Sequence, residues 1–145
     1  MTKLVKLLNQ YVADLAVLNT KLHNLHWNVK GERFVPIHEH LEELYDDLFE
    51  KYDEVAERIK MLGEYPLASQ KSYLETTTVK ELENRDYDID ETMVIVKDEV
   101  TRLREAAIEI RNLADETGDF VTVAIFEEYV AGYDKELWFI NQMLK

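Results

Sequence analysis

Four long runs of apolar residues recur every three or four positions, and this constrains the fold more than any other feature of the chain. Leu4, Leu8, Tyr11, Leu15, Leu18, Leu22 and Leu25 form the first. Ile37, Leu41, Leu44, Leu48, Val55, Ile59 and Leu62 form the second, Met93, Val96, Val100, Leu103, Ala107, Ile110 and Ala114 the third, and Val123, Val130, Tyr133, Leu137, Ile140 and Leu144 the fourth. This spacing places each set on one face of a helix. Only 4 Gly and 2 Pro interrupt the 145 residues, so the helices should be long.

Punctuation sets the expected boundaries. The first helix should run from about residue 3 to Lys30, with Gly31 as its stop and Pro36 in the first turn of the second. Gly63 and Pro66 end that second helix. At about 27 residues, each of the two would be roughly 40 Å long. A short helix is expected within Ser72 to Asn84, where Thr78 and Glu81 form a candidate capping box. The third long helix should follow Asp90, and the fourth should begin at an Asp119 N-cap after the turn Glu116 to Asp119. The fold class is therefore all-α: a four-helix bundle with one long crossover, built as one domain over 1–145.

Charge and composition narrow the chemistry. With no Cys, thiolate metal sites and cysteine nucleophiles are excluded. Asn9, Gln10 and Asp14 break the amino-terminal apolar run, so neither a signal peptide nor a membrane span is expected, and the default location is cytoplasmic. A formal charge of −13 disfavours general affinity for nucleic-acid phosphates and suits attraction of cations.

The chemistry concentrates between His26 and Glu57. His26 continues the apolar face of the first helix, with Trp27 beside it. In the second helix His38 and Glu42 are spaced i,i+4, as are Asp53 and Glu57, so each pair offers two ligands on one face. Glu42 and Asp53 lie about 20° apart around the axis but roughly 16 Å apart along it, too far for one metal centre in one chain. A two-fold axis near residues 47 and 48 would set His38 and Glu42 of one copy against Asp53 and Glu57 of another, giving two equivalent sites at a dimer interface. Imidazole and carboxylate donors suit Fe(II), Zn(II) or Mn(II). The plainer reading is a satisfied histidine and an ordinary solvated acidic face. Glu39, Glu43, Asp46, Asp47 and Glu50 have that plain reading too.

The run His26-Trp27-Asn28-Val29-Lys30-Gly31, then Phe34, His38-Glu39, Asp53 and Ala56-Glu57-Arg58, resembles the signature of the Dps family of mini-ferritins. Leu137-Trp138-Phe139-Ile140 resembles part of the family's last helix. The resemblance implies a ferritin-like bundle with a short extra helix in the crossover, assembled as a hollow homododecamer. It implies ferroxidase centres made of His26, His38 and the residue at 42 from one subunit with Asp53 and Glu57 from another. It further implies Fe(II) as substrate, Fe(III) mineral as product, hydrogen peroxide preferred over oxygen as oxidant, and Zn or Mn as competitors. Trp27 takes the position of a candidate electron donor, with packing as the alternative.

Position 42, usually Asp in the family, is Glu here, which moves the carboxylate by about one methylene and bears on the second metal position. His23 and His40 take no ligand role and are read as surface or second-shell residues. The family's acidic three-fold pore corresponds to Asp119 and Glu128 with Asp115 nearby, while Ala124 replaces a common acidic residue. DNA binding is not expected, because the Lys- or Arg-rich terminal extension used by DNA-binding members is missing. A DNA-compacting shell protein or a non-catalytic metal-binding cage stand as the alternatives.

Overall fold

A computed structural model describes residues 1–145. Helix α1 spans Lys3–Asn28, β1 Val29–Lys30, α2 Phe34–Met61, α3 Gln70–Thr76, β2 Tyr87–Asp88, α4 Ile89–Glu116 and α5 Phe120–Met143. The four long helices are those the apolar periodicity marks out. Short connections join α1 to α2 and α4 to α5, so each pair packs as an antiparallel hairpin, and the crossover from 62 to 88 carries the chain between hairpins.

The facing stripes meet in one core. Leu8, Val12, Leu25, Leu41, Val55, Ile59, Met93, Val96, Ala107, Phe126 and Ile140 have no measurable exposure. Burying a leucine of this kind contributes about 2 kcal/mol. Tyrosines cross the middle: the Tyr11 and Tyr133 hydroxyls bond one another, Tyr129 donates to Glu54, and the edge of Phe126 meets Tyr11 at 5.2 Å. Burial pushes all three phenols above their ordinary pKa range.

Three boundaries differ from expectation, each for a local reason. Helix α1 stops at Asn28 because Val29 and Lys30 pair in parallel with Tyr87 and Asp88, tying the first turn to the end of the crossover. Gly31 follows with φ of +150°, where a Cβ would lie 2.8 Å from Ile89 Cδ1, so the close approach requires glycine. The short helix begins earlier than Ser72, because Ser69 and Ser72 form the capping box. Thr78 instead donates through its N–H (2.7 Å) and hydroxyl (3.0 Å) to buried Asp14. Asp88 caps α4, accepting from the Glu91 N–H at 2.7 Å, so that helix starts ahead of Asp90. Asp119 caps α5 as expected.

Candidate metal centre

Packing of the end of α1 against the start of α2 brings His26 and His38 face to face. Their rings stack at 3.6 Å with 12° between planes. His26 Nδ1 lies 2.7 Å from the His38 carbonyl oxygen, and His38 Nδ1 lies 2.7 Å from the His26 carbonyl oxygen. A carbonyl only accepts, so each Nδ1 carries a proton and Nε2 is the ring nitrogen left to meet a metal ion. Reciprocal bonds of this kind fix the tautomer and the ring orientation together, as carbonyl partners do for metal-binding histidines. His26 is 5% exposed, so its ring direction is also set by packing.

Glu42 lies one turn beyond His38 on the exposed side of α2 and receives the Tyr45 hydroxyl at 3.4 Å. Asp53 and Glu57 lie further along the same unbroken helix; both are exposed, and neither makes a hydrogen bond or ion pair. From His38 to Asp53 the fifteen-residue rise is about 22 Å. No three His, Asp or Glu side chains of one chain converge on a common point. The chain thus brings together His26 and His38, leaves Glu42 beside them, and holds Asp53 and Glu57 apart.

Trp27 is 67% exposed and reaches the histidine pair through other rings. His23 stands between, 5.5 Å from Trp27 and stacked on Tyr45 at 3.8 Å, while Tyr45 meets His26 edge-on at 5.2 Å. Tyr45 is absent from the sequence reading, although its spacing carries the signal: His38, Glu42 and Tyr45 are i, i+4 and i+7 on one face. Partial burial and the charges of Glu42 and Asp46 hold its phenol above the ordinary range.

The other expected polar residues have partners within the chain. His40 donates from Nε2 to Glu136 at 2.5 Å, joining α2 to α5, and this hydrogen bond raises the imidazole's pKa against the opposing effect of burial. Asp119 accepts from Arg58 at 2.7 Å and from the Thr122 N–H and hydroxyl. Burial alone would raise its pKa, but these bonds hold the carboxyl below its usual range. A residue considered for a pore wall is therefore committed to capping α5, whereas Glu128 is exposed. Between α1 and α4, Lys21 and Glu99 form a buried pair at 3.7 Å, burial lowering the lysine's pKa and raising the glutamate's.

Similarity to known proteins agrees with this fold. A family model described as a ferritin-like domain matches residues 5–145. The DNA protection during starvation protein of Helicobacter pylori is 32% identical over 142 residues, covering 98% of this chain and 99% of the relative. The Dps of Vibrio cholerae, described as a member of a broad superfamily of ferritin-like diiron-carboxylate proteins, superposes with a TM-score of 0.93 at 35% identity, over 99% of this chain and 89% of that one. A zinc-soaked Dps of Listeria innocua gives 0.94 at 32% identity, over 98% and 96%. The fold and these matches define a ferritin-like protein. Within that class, the chain belongs to the Dps family.

Proposed function

We propose that this chain, acting as one ferritin-like domain over 1–145, oxidises and stores iron. Fe(II) is bound at centres shared between two-fold related copies, oxidised preferentially by hydrogen peroxide, and kept as ferric mineral inside a hollow homododecamer. The observation that carries this reading is the division of α2 into two unlike halves. Two imidazoles are held by their Nδ1 atoms at one end, leaving Nε2 without a partner, and two carboxylates without partners stand at the other.

An antiparallel copy of α2 would bring the halves together, with His26, His38 and Glu42 from one subunit and Asp53 and Glu57 from the other. Phe49, between the halves, is 55% exposed, and Leu74 of α3 is 54% exposed, which supplies apolar surface for such a contact. In this arrangement the carboxylates stabilise the additional positive charge that appears when Fe(II) becomes Fe(III). Two Fe(II) ions supply the two electrons that peroxide needs. Protection follows because iron and peroxide are consumed together rather than in one-electron reactions. Zn(II) or Mn(II) would compete for the same donors. The net charge of −13 weighs against DNA compaction through phosphate contacts.

Anaerobic titration with Fe(II) followed by peroxide tests the reading. The wild type should give fast, saturable ferric absorbance with matched loss of peroxide. Asp53→Ala/Glu57→Ala should slow it by about 100-fold. Equally slow reaction in both proteins would leave a non-catalytic cage.

A further inference from the structure

One amine on the face formed by α1, the crossover and α4 takes no part in the metal centre. The Lys21 side chain is 7% exposed, and its Nζ makes no hydrogen bond; the nearest acceptor is Glu99 Oε1 at 3.7 Å, on a side chain 8% exposed. Arg102, 52% exposed, lies 3.7 Å from the same oxygen. No side-chain nitrogen or oxygen sealed from solvent lacks a hydrogen-bond partner, so the Lys21 amine opens onto the clefts that its side chain lines. One cleft, of about 330 Å³, is shared with Lys80, Asp98, Glu99, Thr101, Arg102 and Glu105. The other, of about 370 Å³, lies between α1 and Glu81, Leu82 and Asn84 of the crossover.

An amine attacks a carbonyl carbon only in its neutral form. Burial lowers the Lys21 pKa against the pull of Glu99, and the same desolvation raises Glu99, which is thereby suited to hold the proton that Lys21 gives up. The charged groups facing the amine are Glu99, Arg102 and Asp98 from α4 and Lys80 and Glu81 from the crossover, with Asp14 of α1 near Glu99. Glu99 also selects the chemistry. An acyl group would make Lys21 a neutral amide and leave this buried carboxylate with Arg102 alone, whereas an imine takes up a proton and stays cationic beside it. Around the pair, Lys80 and Arg102 balance Asp98 and Glu105. A charged carbonyl compound therefore gains nothing over an uncharged one.

We propose that Lys21 is a covalent capture site for small uncharged aldehydes. Within the pair the Lys21 proton passes to Glu99, and the neutral nitrogen attacks the aldehyde carbon. The C–N bond forms as a proton moves from nitrogen to the carbonyl oxygen, giving a carbinolamine. Glu99 then returns its proton to the new hydroxyl, the C–O bond breaks, and water leaves. A protonated imine remains against the Glu99 carboxylate, so the charge of the pair is unchanged. No oxidant or reductant is consumed, and the reaction requires neither iron nor a second copy of the chain.

Wild-type, metal-free protein incubated with glycolaldehyde and cyanoborohydride tests this, because the hydride reduces each imine to a stable secondary amine that peptide mass spectrometry locates. At low conversion and about pH 7, Lys21 should react at least about fivefold faster than Lys80, which shares the cleft but is exposed, and than Lys30, 77% exposed. Lowering the pH to about 6 should slow Lys30 more than Lys21, since the buried amine keeps a larger neutral fraction. Acetylation by an N-hydroxysuccinimide ester should show no preference for Lys21, and unfolding in guanidinium chloride should abolish the preference seen with glycolaldehyde. Lys21 reacting no faster than Lys30 and Lys80 on the folded chain, or favoured as strongly by the acyl reagent, would overturn the proposal.

Discussion

The two ends of α2 carry similar chemistry in opposite structural states. At the amino-terminal end, His26 and His38 are stacked, tautomer-fixed by each other's carbonyls and walled by Tyr45 and Phe34. At the other end Asp53 and Glu57 project from the helix with no partner. An ionised carboxylate in water costs nothing to leave unpaired, whereas a buried imidazole needs its donor satisfied. The difference teaches that the histidine half is part of the fold, while the carboxylate half is surface available to another molecule.

Stability measurements can break that comparison. His26→Ala removes a 5%-exposed ring and takes the side-chain donor from the His38 carbonyl, so it should cost about 2–4 kcal/mol in unfolding free energy. Asp53→Ala, by contrast, should stay within about 0.5 kcal/mol. Similar costs at the two ends, read by denaturant melts of the metal-free protein, would mean that the asymmetry described here is false.

Glu42 sharpens the comparison, since it belongs to the histidine end but remains exposed. Glu42→Asp should withdraw the carboxylate from Tyr45 and alter affinity for one of the two metal positions by about tenfold, measured calorimetrically with Zn(II). Unchanged affinity at both positions would exclude Glu42 from the donor set.

The smallest effect concerns His40, whose bond to Glu136 sits close to the site without joining it. Its folded pKa is raised above the ordinary 6.5. The stabilisation is therefore fully present below pH 6.5 and is lost as pH rises through the higher folded value. Wild type should exceed His40→Gln by about 1 kcal/mol at pH 5.5, and the difference should shrink toward pH 8.5. A gap that widens with pH would reverse the assignment.

Much of this architecture is legible from residues alone, because helical periodicity is a local property. The four apolar stripes give the long helices, and Asp119 gives the last cap. The crossover is less legible, since competing caps look alike in sequence. Thr78 and Glu81 read as a capping box, yet Thr78 is drawn to Asp14, 64 residues away, and Ser69 with Ser72 takes the capping role. A preference for a nearby backbone donor cannot reveal a distant carboxylate.

The candidate site divides in the same way. The i,i+4 pairs and the axial separation along α2 follow from helix geometry, and they point to a second copy as the source of the missing ligands. The reciprocal carbonyl bonds depend on how two helices pack, which spacing does not specify. Tyr45 and His23 lacked a chemical role in the sequence because their importance comes from ring contacts between α1 and α2.

Subunit complementation tests the central claim most directly. His26→Ala/His38→Ala chains and Asp53→Ala/Glu57→Ala chains, each inactive alone, would be co-refolded and assayed for peroxide-dependent Fe(II) oxidation. In a mixed two-fold pair, one centre draws its histidines and its carboxylates from the intact halves of the two chains. Random mixing should therefore restore about a quarter of wild-type centres. No activity in verified mixed assemblies would contradict a centre shared between copies of this chain.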